Sequence, residues 1–414
     1  MFSRVFLKDG EEGEVQQGFP WIFDNEISHV KYEEKSGVKQ ASLADCAVKD
    51  GELVEVFANA GGFLGTGVIN RKSKISVRII GKEHADRIAQ DPQAYYTKKI
   101  QNAYDLRKLY YDRKDSYRLV YAEADFIPGL IVERYCDINK NIYLVVQFLS
   151  LSAEVFRKEI LQALKAIVRP YGIYERDDAG VREKEGLEER SCWIGEAREE
   201  KIIIRENDVL LEVDIARGQK TGYFLDQKFN RRQAAALSSG KKVLDACSHT
   251  GAFGLNCFKG GAKDVTCVDL SPEAVTMIEK NIELNGAGKK VRAVCADIFD
   301  KLKEYEASGE KFDLIILDPP AFTKSAKNIQ KAYGGYKEIN LRAMRLLTEN
   351  GILITCSCSY FFDAEHFYGM IMKAAEDSKK RVQILAKYGA GPDHPVLAGY
   401  PKSEYLKCAV CRVV

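Results

Sequence analysis

No run of apolar residues in this chain approaches the roughly 20 needed to cross a bilayer as a helix, so no helical membrane span is expected. Residues 1–9 reach the Lys8-Asp9 charge pair too early for a signal peptide, and a cytoplasmic location is expected. Cysteine is present but unorganised. The 11 cysteines are an odd number scattered through apolar surroundings, which argues for small buried hydrophobes in a reducing compartment and not for a disulfide framework. The one C-x-x-C, Cys408 to Cys411, has no second pair at zinc-finger spacing, and no metal is expected there. Internal repeats and low-complexity tracts are also missing, which excludes a solenoid and a disordered tail. Net charge is only +2, so the chain as a whole does not announce a polyanionic partner.

What is present is an ordinary globular composition, 46% apolar and 29% charged, over 414 residues, enough for two or three domains with sizeable cores. Charge is unevenly spread. Residues 71–118 carry 13 Lys or Arg against 6 Asp or Glu, whereas residues 1–80 carry 10 against 12. If RNA binds, the field that attracts phosphates should centre on 71–118.

Residues 1–80 show short alternating runs broken by glycine, among them Leu53-Val54-Glu55-Val56-Phe57 and Ile75-Ser76-Val77-Arg78-Ile79-Ile80, which predict a small β barrel or sandwich. Helical spacing follows over 81–118. An α/β stretch then runs to about 190, with strands at Gly129-Leu130-Ile131-Val132-Glu133 and Ile142-Tyr143-Leu144-Val145-Val146-Gln147-Phe148. Beyond about 200, apolar strands alternate with helices, the signature of a parallel sheet covered on both faces. The expected division is a β domain at 1–80, a central α/β domain at 81–190 and a Rossmann-like α/β domain at 191–414. Ligands of such sheets bind at the carboxyl ends of the strands, where Asp245, Asp269, Asp297, Asp318 and Cys358 all fall.

Three segments carry chemistry. The first is Val243-Leu244-Asp245-Ala246-Cys247-Ser248-His249-Thr250-Gly251-Ala252-Phe253-Gly254, a strand leading to a glycine-bearing loop and a helix. Glycines there let backbone approach a ligand closely. Asp269, ending the next strand, can accept two ribose hydroxyls, and Asp297 suits an adenine amino group. The second is Asp318-Pro319-Pro320-Ala321-Phe322, a stiff ledge that can aim a carboxylate or a carbonyl at a flat base. Such a ledge also serves methyl transfer to exocyclic amines. The third is Thr355-Cys356-Ser357-Cys358-Ser359. Carbon 5 of cytosine is a poor nucleophile until a thiolate adds to carbon 6, so a thiol beside a methyl donor and a carboxyl group points to pyrimidine methylation. Period two puts Cys356 and Cys358 on the same side of an ideal strand and does not choose between them.

The chain resembles the bacterial class I 23S rRNA cytosine-5 methyltransferases that carry an N-terminal PUA domain. In the first domain the likeness rests on Gly18-Phe19-Pro20-Trp21-Ile22-Phe23, Gly51-Glu52-Leu53-Val54-Glu55-Val56, Phe63-Leu64-Gly65-Thr66-Gly67 and Asn70-Arg71-Lys72-Ser73-Lys74-Ile75. In the last it rests on Lys220-Thr221-Gly222-Tyr223-Phe224-Leu225-Asp226-Gln227, the three segments above and Asp393-His394-Pro395-Val396. The resemblance implies methylation of cytosine carbon 5 in 23S rRNA with S-adenosylmethionine. The cofactor would be lined by Asp245, Gly251, Asp269, Asp297, Asp318 and Pro319, and Asp318 would also orient the base. Counting from Gly351, the family's spacing makes Cys358 the nucleophile. The segment beginning at Lys220 is expected either to lie against the cofactor, as the resemblance implies, or to be a packed connector, and Arg231 and Arg232 to meet phosphate or lie on a helix surface. Two alternatives stay open: amino-group methylation of guanine or adenine, and a non-catalytic RNA-binding assembly protein. The oligomeric state is open too, a homodimer among the choices.

Overall fold

The computed structural model describes residues 2–219, 221–323 and 325–414. These divide into two compact units. One comprises Met1–Glu200, Asp214–Tyr223 and Pro392–Ser403; the other comprises Lys201–Val213, Phe224–Gly391 and Glu404–Val414.

The first unit holds two sheets. The alternating runs of the N-terminal region form a seven-stranded half-barrel in the order Trp21–Phe23, Ile75–Gly81, Phe63–Ile69, Leu53–Phe57, Ser3–Leu7, Ile27–Glu34 and Gly37–Ala41. Every second residue, including Val5, Leu7, Val54, Val56 and Val77, faces a common apolar core, as period-two patterning requires. The helices Ala85–Gln90 and Pro92–Lys108 follow where helical spacing was expected. A second sheet of five strands then runs from Tyr117–Tyr121 to Arg190–Trp193.

Two of the 13 cations of the basic 71–118 stretch are buried in ion pairs. Arg78 is buried, its Nη2 donating to Glu185 Oε1 at 2.7 Å. Ser73 Oγ donates to the same oxygen at 2.7 Å, and Trp21 Nε1 donates to Glu123 Oε1, the oxygen that also meets Arg78. Arg107 is fully buried against Asp125, Nη2 to Oδ2 being 2.7 Å. These cations neutralise internal carboxylates, as desolvated charges must. Two stretches within 191–414 pack in this unit by similar bonds. Thr221 Oγ1 donates to Glu133 Oε1 at 3.0 Å, and Asp393 Oδ2 accepts from the Arg118 N–H at 2.9 Å.

The second unit is built on a seven-stranded sheet. Its strands, in chain order, are β1 (Lys242–Ala246), β2 (Asp264–Asp269), β3 (Val291–Cys295), β4 (Phe312–Leu317), β5 (Leu347–Ser357), β6 (Val382–Tyr388) and β7 (Lys407–Val413). They lie in the order β3-β2-β1-β4-β5-β7-β6. The first five are parallel and β7 is antiparallel to both neighbours. The connecting helices are α1 (Ala252–Lys259), α2 (Pro272–Leu284), α3 (Ile298–Ser308), α4 (Ile329–Leu346) and α5 (Ala364–Ser378). Leu244, Ala246, Val268, Ile315, Leu317 and Leu353 enter one core with Leu302, Ile339, Met344, Phe367 and Met370 of α3, α4 and α5. Helix α2 begins as its sequence dictates, with Pro272 first and Ser271 Oγ accepting from the Ala274 N–H at 3.2 Å. No helix among the described residues is long and apolar enough to cross a membrane. The strand order reverses between β1 and β4, and this switch point leaves a crevice at the carboxyl ends of the strands, where the polar residues gather.

Candidate active site

The loop after β1 is held in a demanding shape. Cys247, His249 and Gly251 have φ of 61°, 53° and 75°, three left-handed residues within five. Only glycine adopts this freely, so the two non-glycine positions are strained and are held by their surroundings. Asp269 Oδ2 accepts from the His249 N–H at 2.8 Å, and its Oδ1 accepts from the Ser271 N–H at 3.0 Å. Asp245 does the rest. Its Oδ2 accepts from the Gly254 N–H at 2.8 Å and from the Ser248 hydroxyl, while Oδ1 is buried with no hydrogen-bond partner among the described residues. Burial pushes its carboxyl up to about 6, against the lowering effect of those two bonds. Gly254 has a packing reason: a Cβ there would lie 2.4 Å from Cys267 Sγ, so α1 approaches β2 only without one.

Asp297 caps α3, its Oδ1 accepting from the Phe299 N–H at 2.8 Å and the Asp300 N–H at 3.3 Å. Capping occupies one oxygen of a half-buried carboxylate. The structure brings the four aspartates together around Cys247. Burial first, then the charges of Asp269, Asp318, Asp245 and Asp297, push that thiol well above its ordinary range.

Asp318 and Cys358 follow the ends of adjacent parallel strands, with Leu317 of β4 opposite Thr355 of β5. The Asp318 carboxylate is oriented by a relay. Gln227 Nε2 donates to Asp318 Oδ1 at 2.9 Å; Gln227 Oε1 accepts from Asn230 Nδ2 at 2.6 Å, which also donates to the Gly389 carbonyl at 3.0 Å. Pro319 is buried and Pro320 exposed. Phe322 packs beside them, its ring 4.5 Å from that of Tyr336.

The two thiols differ. Cys356 is fully buried inside β5, directly opposite Cys408 of β7. The Cys408 thiol and burial push it well up, so it is a poor nucleophile. Cys358 lies just past the strand end and is half-buried. Its neighbours are pinned by Tyr336, whose hydroxyl bonds Ser359 Oγ at 2.9 Å and Ser357 Oγ at 3.1 Å. Lys407 Nζ donates to the Ser359 carbonyl at 2.7 Å. The other member of the C-x-x-C, Cys411, is buried on β7.

Two family models match the chain: a PUA-like domain over residues 5–82, and an S-adenosylmethionine-dependent methyltransferase over residues 182–394. The ribosomal RNA large subunit methyltransferase I of Aeromonas salmonicida (strain A449) is 38% identical over 412 residues, covering 99% of this chain and 98% of that one. The protein of the same name from Aliivibrio fischeri (strain ATCC 700601 / ES114) is 36% identical over 418 residues, covering all of both chains. The chain belongs to this methyltransferase family. Solved structures agree on the fold. A SAM-dependent methyltransferase from Streptococcus mutans superposes with a TM-score of 0.79 at 23% identity, covering 100% of both chains. A methyltransferase complexed with SAH gives 0.78 at 22% identity, again over 100% of both.

The methyltransferase therefore uses S-adenosylmethionine, and its residues fit that cofactor. Four gathered carboxylates suit a ligand bearing a sulfonium, an ammonium and ribose hydroxyls. The unpartnered Asp245 Oδ1 leaves one acceptor unused within the fold. Gln227, Tyr336 and Lys407 carry no signal of these places in the sequence. No spacing rule signals a bond between residues 91 positions apart, as Gln227 and Asp318 are. Arg231 meets neither of its expected fates. It is 2% exposed, its Nη2 donating to Glu206 Oε2 at 2.9 Å and to the Phe224 carbonyl at 2.8 Å. Thr221 belongs to the first unit, and Lys220 lies outside the described residues. His249 meets the Phe224 ring edge-on, with centroids 5.0 Å apart.

Proposed function

We propose that this methyltransferase acts on carbon 5 of a cytosine in 23S ribosomal RNA, in the cytoplasm, with Cys358 as nucleophile. The observation that carries the reading is a half-buried thiol just past the end of β5, beside the β4 end that bears Asp318. Full-length relatives named ribosomal RNA large subunit methyltransferase I support the substrate class, and the PUA-like domain supports RNA binding.

Asp245, Gly251, Asp269, Asp297 and Pro319 would hold S-adenosylmethionine, Asp269 through the ribose and Asp297 through the adenine. When bound, the cofactor supplies an electrophilic methyl group. The chain does the remainder. A target base within folded RNA must leave its stack to reach the thiol, at a cost of a few kcal/mol. Phosphate and shape contacts from the PUA-like domain offset this. Cys358 Sγ bonds to carbon 6, and the electron pair of the 5,6 double bond becomes available at carbon 5. Asp318 holds the ring in register and, as the carboxylic acid, donates to the ring nitrogen on which negative charge develops. Once carbon 5 is methylated, a base takes its proton, the carbon–hydrogen electron pair reforms the 5,6 double bond, the carbon–sulfur bond breaks and Cys358 leaves as thiolate.

Nucleoside mass spectrometry of 23S rRNA incubated with enzyme and S-adenosylmethionine should show 5-methylcytidine. Cys358→Ala should abolish it while calorimetric binding of the cofactor persists. N2-methylguanosine or N6-methyladenosine as product, or full turnover by Cys358→Ala, would overturn the reading.

A further inference from the structure

Lys407 is 7% exposed, and burying an ammonium is costly unless something compensates. Its hydrogen bonds go to two carbonyls, those of Ser359 at 2.7 Å and Tyr405 at 2.8 Å. No carboxylate of the described residues lies within ion-pair distance of it. The position is otherwise specific. Lys407 opens β7 directly opposite Ser357, and the carbonyl it grips belongs to the residue after Cys358. Of the charges acting on its ammonium, that of Cys358 is the largest, followed by Asp363 at the start of α5 and Glu404 before β7. From α4, Tyr336 is near enough for the Cys358 charge to act on it, while its hydroxyl bonds the flanking Ser357 and Ser359.

We propose that Lys407 is a positioning residue that holds Cys358 as a thiolate, its ammonium locked beside the sulfur by the Ser359 and Tyr405 carbonyls. This role deepens the Cys358 chemistry proposed above and presupposes it. Only the thiolate adds to carbon 6, and a nearby fixed cation is the usual means by which a fold lowers a thiol's proton affinity. No carboxylate competes at ion-pair range, so the thiolate is the anion this cation serves. Burial pushes the Lys407 ammonium down to about 8, so it remains mostly charged at neutral pH.

The test is the rate of Cys358 alkylation by iodoacetamide as a function of pH, read by peptide mass spectrometry on the full chain, with exposed Cys192 and Cys295 as internal references. In the unsubstituted protein, the Cys358 midpoint should lie below those of the references. In Lys407→Gln it should rise by about one pH unit, roughly tenfold slower alkylation at pH 7.5. Lys407→Arg should recover most of the loss. A Cys358 midpoint at or above the references overturns the role even if Lys407→Gln does not fold, and so does a midpoint unmoved in a folded variant. The Cys358 reading itself fails separately, through turnover by Cys358→Ala, because alkylation reports the thiol whether or not it is the nucleophile.

Discussion

Gln227 Nε2 donates a 2.9 Å hydrogen bond to Asp318 Oδ1. The amide cannot turn over, because Asn230 Nδ2 already donates to its oxygen. A buried amide fixed in this sense aims the carboxyl group that the chemistry needs.

Gln227→Ala should therefore lower kcat by roughly 100-fold, at the low end of what removing one fixed donor costs. The affinity for S-adenosylmethionine should change little. Gln227→Glu should do more, since it sets two carboxyl groups against each other and raises the proton affinity of the pair. Its pH–rate profile should shift upward. Single-turnover rates against pH, with cofactor affinity measured by calorimetry, check both.

Cys356→Ala and Cys358→Ala should separate cleanly. Cys356 is buried in β5 opposite Cys408, with its thiol also meeting the Gln227 amide, so its loss should cost about 1 kcal/mol of stability, as small core truncations do, and lower turnover without abolishing it. Loss of 5-methylcytidine formation in Cys356→Ala, with Cys358→Ala still active, would reverse the assignment of the thiols.

Asp245 links stability to pH. Its folded-state carboxyl, raised to about 6, binds its proton more tightly than in the unfolded chain, where 3.8 is ordinary. The stabilisation is complete below the unfolded value and is lost as pH rises through 6. At about 1.4 kcal/mol per pH unit, the ionised form costs the ligand-free fold on the order of 3 kcal/mol above that point. Asp245→Asn should therefore raise the melting temperature of the cofactor-free protein at pH 7.5 and narrow its gap to the parent at pH 5. Thermal melts across that range test it.

Gly254→Ala should damage the cofactor loop. The new methyl would meet Cys267 Sγ at 2.4 Å and approach Asp245 Oδ2 at 3.3 Å. Overpacking of this kind costs about 1–3 kcal/mol and would displace the loop that Asp245 holds. Cofactor affinity by calorimetry should fall at least tenfold, about 1.4 kcal/mol.

The Arg78 network should dominate the stability of the first unit. Arg78→Ala strands Glu185 and Glu123 without their shared cation, a loss of about 3–5 kcal/mol for a broken buried pair. Denaturation followed by tryptophan fluorescence would report it directly, since Trp21 bonds Glu123.

Much of this was legible in the chain. Apolar strands alternating with helices announced the parallel sheet, because period and burial are local properties. The same local logic set Asp245, Asp269, Asp297 and Asp318 at strand ends, and the Ser271-Pro272 pair at the start of α2. Distant meetings were not legible. Whether an arginine in 71–118 faces water or a carboxylate depends on partners 18 to 107 residues away, as Arg107 with Asp125 and Arg78 with Glu185 show. Cys356 and Cys358 share a strand face on paper. Tertiary structure parts them: Cys356 is buried within β5 opposite Cys408 of β7, and Cys358 lies past the strand's end at Ser357 and is half-buried. Gln227 and Lys407 take their places beside Asp318 and Cys358 for the same reason: chain folding sets which side chains meet, and a one-dimensional pattern carries no distance.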